Sequence, residues 1–234
     1  MRCLTETRSG NCCLVNEDRF LCEPELSLFA VLDGEVHEGR AAIVALEVLR
    51  DASQAIADTL RRKPEVAAEA ISSVVRLANQ TIFQDANPRW QGAGTTLTCL
   101  ALAKESIVVA HVGDSRAYGR DRSGWRCLTL DHSLVQEARR VNHPDLADFI
   151  ASHSSTITRV LGLTPDVEVD TYNFSRSGIS DILLCTDGFW RPLDPDLVYA
   201  PLPDITGPEL LEFAYNAFEK DDQRDNASYV LVSF

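Results

Sequence analysis

The chain has 234 residues, 45% of them hydrophobic and 24% charged, with 12 Gly, 10 Pro and a formal net charge of −13. These proportions exclude collagen-like, low-complexity and disordered chains and permit a sizeable core. The excess of 35 Asp+Glu over 22 Lys+Arg repels phosphate backbones and anionic lipid, so nucleic acid and membrane surfaces are poor partners; a phosphorylated substrate would need positive charge from outside the sequence, and a metal ion is the obvious source.

In chain order, the N-terminal MRCLTETRSG lacks a basic-then-apolar leader, and no run reaches the roughly 18–20 apolar residues of a membrane span, so a cytoplasmic protein is expected. The cysteines (Cys3, Cys12, Cys13, Cys22, Cys99, Cys127, Cys185) are odd in number and form no CxxC pair, which reads as reduced, mostly buried thiols. Residues 26–34, LSLFAVLDG, form an apolar run too short for an ordinary helix and closed by Asp-Gly, a strand buried on both faces. From Arg40 to about Arg62, apolar residues recur at three- and four-residue spacing, and Pro64 punctuates the end. A second such block runs to about Gln84, and the two predict an antiparallel helix pair. From Gly94 the period shortens: TTLTCLAL, IVVAHVG, RAYGR and WRCLTL read as an antiparallel meander. Residues 131–163 are polar and read as a helical excursion or flap. Strand character returns at 167–174, 181–186 and 228–233, with a helix at about 207–219 before the last. Segregated strands and helices, with no GxGxxG or Walker loop, predict an α+β fold: one domain over 1–234 in which two antiparallel β-sheets form a central sandwich flanked by helices.

The placement of acids is the informative feature. Asp33-Gly34 closes FAVLDG, Asp114 follows VVAHVG, Asp187-Gly188 follows ILLCT, Asp225 stands just before the final strand, and Glu17-Asp18 precede the first buried strand. Asp-Gly and Gly-Asp are common turn dipeptides, so each acid alone also reads as a cap or turn. Together, converging carboxylates would repel one another unless cations neutralise them. With no Cys or His at ligand spacing, an all-oxygen set selects Mg²⁺, Mn²⁺ or Ca²⁺.

Eight segments in order, GNCCLVNEDRF, FAVLDG, GAGTTLTCLAL, VVAHVGDSRAY, LTLDHS, TITRVLG, DILLCTDGFW and DNASYVLVSF, resemble the signature segments of the metal-dependent serine/threonine phosphatases of type 2C, the PPM family, in minimal bacterial form. The resemblance covers about Gly10 to Phe234 and implies a four-layer αββα fold. It implies two Mn²⁺ or Mg²⁺ ions held by Asp18, Asp33, the Gly34 carbonyl, Asp187 and Asp225. Asp114 matches an acid that in several members helps hold a third ion, and Glu17 a position that acts through water in some. The implied reaction is hydrolysis of phosphoserine and phosphothreonine in proteins by a water bridging two ions about 3.5–4 Å apart, with Asp33 and Asp187 holding it. Implied partners are phosphoproteins made by a serine/threonine kinase; a monomer is expected. A phosphatase-like binding module with weak or no turnover, and a phosphatase for another phosphate ester, stay open as alternatives.

Two departures stand out. Where the family usually places a phosphate-binding arginine this chain has Cys13, and Arg19 is the nearest replacement; loss of a bidentate contact predicts a raised KM or altered substrate choice. After Gly34 the usual glycines are replaced by Glu35-Val36-His37-Glu38, a different loop in which His37 is either a leaving-group acid or solvated surface, and Glu35 either adds a metal contact or only charge. His111 reads as a core residue and His132 as structural.

Overall fold

The computed structural model describes residues 1–12, 14–85, 87–142, 145–194, 199, 201–222 and 224–234. In chain order its elements are β1 (Arg2–Arg8), β2 (Arg19–Glu23), β3 (Leu28–Leu32), β4 (Gly34–Glu35), α1 (Arg40–Arg62), α2 (Ala67–Phe83), β5 (Gly94–Thr95), β6 (Leu97–Leu102), β7 (Ser106–Val112), β8 (Arg116–Asp121) and β9 (Gly124–Cys127). They continue with α3 (Leu134–Arg140), α4 (Leu146–His153), β10 (Asp170–Ser175), β11 (Asp181–Cys185), α5 (Asp187–Trp190), α6 (Gly207–Phe218) and β12 (Ala227–Ser233). Two five-stranded antiparallel sheets, ordered β1-β12-β11-β8-β9 and β10-β7-β6-β3-β2, stack face to face.

The layers follow from side-chain alternation. Along β3, Leu28, Ala30 and Leu32 join Ala45 and Leu49 of α1 and Ile71 and Val75 of α2 in one cluster. Phe29 and Val31 point the other way, against Leu184 of β11 and Val230 of β12 between the sheets. Beyond the second sheet, Leu210 and Ala214 of α6 pack on Leu183 and Leu231. Helix, sheet, sheet and helix therefore succeed one another, and β3 is buried on both faces, as its uninterrupted apolar run predicts. Each fully buried Leu, Ile or Val contributes about 1.5–3 kcal/mol. The α6 start is fixed by a capping box, in which Thr206 N–H and Oγ1 both donate to Glu209 Oε2 at 2.9 and 2.8 Å.

Two sequence expectations are revised. The meander is not one sheet: β6 and β7 pair in one, β8 and β9 in the other. The chain crosses between them at Gly113 (φ +109°), where an added Cβ would meet the Thr96 side chain at 2.5 Å. Strands β1 and β2 were not expected, because each is short of apolar residues or of length, lies at a sheet edge and buries little of itself. The excursion after Asp131 is helical, one of the two forms expected of it, and contains α3 and α4.

Candidate metal centre

The acids collect at one end of the sandwich because the elements that carry them end or begin there. Asp18 precedes β2, Asp33 follows β3, Asp114 lies in the crossover from β7 to β8, Asp187 opens α5 directly after β11, and Asp225 precedes β12. Backbone contacts fix this end: Asp33 N–H donates to Thr96 Oγ1 at 3.0 Å, Asp33 C=O accepts from Thr96 N–H at 2.9 Å, and Glu17 N–H donates to Asn226 Oδ1 at 2.8 Å. Two glycines permit the close approach. A Cβ on Gly34 would lie 2.6 Å from the Glu17 carbonyl oxygen, and one on Gly188 would lie 2.1 Å from that of Asn226.

The electrostatics show how near the acids stand. Burial pushes the Asp18 carboxyl up to about 7, hydroxyl hydrogen bonds oppose it, and the charges of Asp187 and Asp225 add to it. Asp33 is raised well above the carboxylate range, first by burial and then by Asp18, Asp187 and Asp114. Asp114 is raised by burial and by Asp187, and Asp225 by desolvation and by Asp187. Glu35 at the rim is raised as well, by desolvation first and then by Asp187, Asp225 and Glu17. One oxygen each of Asp18, Asp114 and Asp187 (Oδ1 in every case) is buried with no hydrogen-bond partner.

That pattern fits divalent ions. Buried, mutually repelling carboxylates with unpartnered oxygens lack only a cation, and an all-oxygen donor set suits hard ions such as Mg²⁺ and Mn²⁺. As they stand, no three His, Cys, Asp or Glu side chains among the described residues close around one point. A guanidinium shares one edge of the cluster: Arg191 Nη2 donates to Asp187 Oδ2 at 2.8 Å and lies 3.5 Å from Asp114 Oδ2.

A polar shell positions these acids. Thr186 Oγ1 donates to Asp18 Oδ2 at 2.8 Å and accepts from Ser228 N–H at 2.9 Å. Trp190 Nε1 donates to the Asp114 carbonyl at 3.0 Å. Behind Trp190 the Arg116 guanidinium, 1% exposed, stacks 3.5 Å over the indole and bonds both oxygens of Asp131 as well as Asp194 Oδ2 at 2.9 Å.

The chain matches the family described as Protein phosphatase 2C over residues 11–213. It belongs to that family. A serine/threonine phosphatase (stp) of Listeria welshimeri is 36% identical over 108 residues, which are 46% of this chain and 43% of that protein, so the match spans less than half of the relative. Protein phosphatase PhpP of Streptococcus pneumoniae is 29% identical over 203 residues, 83% of this chain and 80% of that one. The crystal structure of serine/threonine phosphatase Stp1 from Staphylococcus aureus superposes with a TM-score of 0.83 at 21% identity, covering 99% of this chain and 94% of that chain, a likeness of fold. Among the described residues of this 2C family member, no helix is long and apolar enough to cross a membrane.

The remaining candidates lie as follows. Glu17 Oε1 accepts Gly39 N–H at 3.0 Å at the start of α1. Arg19 does not reach toward the acids: its Nη1 donates to the carbonyls of Asn16 and Asp18 at 2.9 and 2.6 Å, bracing the loop that carries Asp18. Cys13 lies outside the described residues. The loop after Gly34 runs through left-handed backbone at Val36, His37, Glu38 and Gly39, and exposed His37 places Nε2 2.9 Å from the Gln91 carbonyl. His111, fully buried, lies 2.9 Å from Thr98 Oγ1 through Nδ1 and 3.0 Å from the Leu130 carbonyl through Nε2. His132 Nδ1 accepts Gly113 N–H at 2.9 Å. Sequence reasoning missed Arg191, Thr186 and Asn226. Arg191 had a signal, since a residue four positions after Asp187 on a helical turn shares its face.

Proposed function

We propose that this chain hydrolyses phosphoserine and phosphothreonine in proteins, with Mn²⁺ or Mg²⁺ held by Asp18, Asp33, the Gly34 carbonyl, Asp187 and Asp225. The observation that carries the reading is the convergence of strand-end acids with unpartnered, buried oxygens on Asp18, Asp114 and Asp187. Bound divalent ions supply Lewis-acid neutralisation of phosphoryl oxygens and a strong nucleophile near neutral pH. Asp33, just after β3, and Asp187, at the start of α5, would hold the ions that supply this chemistry. Thr186 fixes the rotamer of Asp18 through one oxygen and leaves the other free, and Trp190 fixes the backbone of Asp114. The substrates in this reading are phosphoproteins made by a serine/threonine kinase in the cytoplasm.

The test assays p-nitrophenyl phosphate and a phosphothreonine peptide with Mn²⁺, Mg²⁺ or EDTA, on the wild type and Asp187→Ala. Metal-dependent turnover of both, abolished by EDTA and by the substitution, is expected. Activity indifferent to EDTA overturns the metal reading, absence of turnover in any metal favours a binding module, and preference for the small ester over the peptide argues for another phosphate ester.

A further inference from the structure

Arg191 puts a fixed positive charge directly against two of these acids. Four residues beyond Asp187 on the turn that opens with α5, its Nη2 bonds Asp187 Oδ2 at 2.8 Å and stands 3.5 Å from Asp114 Oδ2. Its Nη1 donates to the Ser154 carbonyl at 2.8 Å, just after α4. The guanidinium is therefore held from both sides, by the acids and by the excursion that follows β9. It is planar and charged at every accessible pH, and it is a poor ligand for a metal because it has no lone pair to give.

Asp114 and Asp187 each keep a second oxygen that is buried and unpartnered. The edge between them thus presents oxygen donors for a cation while a cation of the protein's own already neutralises the outer oxygens. A divalent ion drawn onto those same two carboxylates would stand close to the guanidinium, and the two cations would repel and compete for the shared negative charge.

We propose that Arg191 is a built-in counter-cation that competes with a divalent ion for the Asp114–Asp187 edge, so that this edge takes up an ion only weakly while the arginine is in place. The inference rests on the divalent-ion reading above and concerns one edge of that centre. Entry of an ion there requires Arg191 to leave both Asp187 and Ser154, which ties occupancy of the edge to the position of the segment after α4.

The test counts Mn²⁺ bound per chain by calorimetry and by the loss of free Mn²⁺ electron paramagnetic resonance, on the wild type, Arg191→Gln, Arg191→Lys and Arg191→Gln/Asp114→Asn. The expected result is one additional Mn²⁺ in Arg191→Gln, or a weakest site at least tenfold tighter than in the wild type. The lysine variant, which keeps the charge, stays near the wild-type isotherm, and the double variant returns to it because its new site has lost a ligand. Should the glutamine variant lose its native circular dichroism, Arg191→Met replaces it, with the same expectation. Superimposable isotherms for wild type and the uncharged variants, with Mn²⁺ bound to each, overturn this inference and leave the metal centre standing. No Mn²⁺ bound to any of the proteins overturns both.

Discussion

Replacing Thr186 with valine tests whether the acids are held by a built shell or merely gathered by the fold. Valine matches threonine in shape, so the packing of a residue with 0% exposure is kept and only the hydroxyl is lost. That hydroxyl is a donor to Asp18 Oδ2 at 2.8 Å and an acceptor for Ser228 N–H at 2.9 Å. Its removal takes one of two hydroxyl partners from Asp18, whose carboxylate keeps Ser228, and takes the side-chain acceptor from the buried Ser228 N–H, so unfolding in urea with EDTA at pH 8, where Asp18 is mostly ionised, should show a loss of about 2 kcal/mol. A partner that orients a metal ligand is worth about 10–100-fold in metal affinity, and Mn²⁺ titration should show a loss in that range. With saturating Mn²⁺ the stability gap should widen by a further ~1.4–2.7 kcal/mol, because a ligand stabilises the fold with the logarithm of its affinity. Thr186→Ser is the control: it keeps the hydroxyl, leaves a methyl-sized gap costing about 1 kcal/mol, and should retain the affinity. A valine variant within 0.5 kcal/mol of wild type in EDTA (roughly the spread of neutral substitutions), with unchanged Mn²⁺ affinity, would refute the reasoning.

Three further outcomes follow from the same geometry. Asp33→Asn should remove metal-dependent turnover and yet raise the melting temperature in EDTA, because an ionised Asp33 is disfavoured by burial and by its acidic neighbours; a lower melting temperature in EDTA would contradict the crowding. Arg116→Ala should cost about 3–5 kcal/mol in urea unfolding by taking the guanidinium from buried Asp131 and Asp194, and a loss under 1 kcal/mol would show that the network is not structural. His111, lowered from 6.5 to about 3 by burial and by His132, stays neutral in the fold while the unfolded chain takes up a proton below 6.5. The stability it contributes is therefore present above pH 6.5 and is lost as pH falls toward 3, at up to about 1.4 kcal/mol per pH unit. His111→Gln should flatten the wild-type fall in stability between pH 6 and 4, measured by denaturant midpoints, and identical slopes would count against it.

The elements that could be read in advance are those whose burial is written in one local pattern. The uninterrupted run of β3 needs two apolar layers, and the 3.6-residue spacing through α1 and α2 needs one apolar neighbour, so a helix-covered sheet follows from composition and period alone. Strands β1 and β2 escaped notice because an edge strand is specified by its partner. Arg2–Arg8 becomes a strand only because β12 offers it a ladder from Arg2↔Ser233 to Arg8↔Ala227. The meander was split for a similar reason: Gly113 breaks the run in sequence, but only the stacking of two sheets turns that break into a crossing.

For the centre itself, the sequence determined which acids are available and that each borders a strand, and for Asp33, Asp114 and Asp187 an aspartate beside a glycine is the local signal. The tertiary structure alone decided how the remaining side chains serve them. It turned Arg19 onto the carbonyls of its own loop, bent His37 to Gln91, used one oxygen of Glu17 on Gly39, and brought Arg191 between Asp187, Asp114 and the Ser154 carbonyl. Long polar side chains settle wherever charge and unpaired backbone groups are nearest in space, and that distance is set by the packing of sheets and helices rather than by position along the chain.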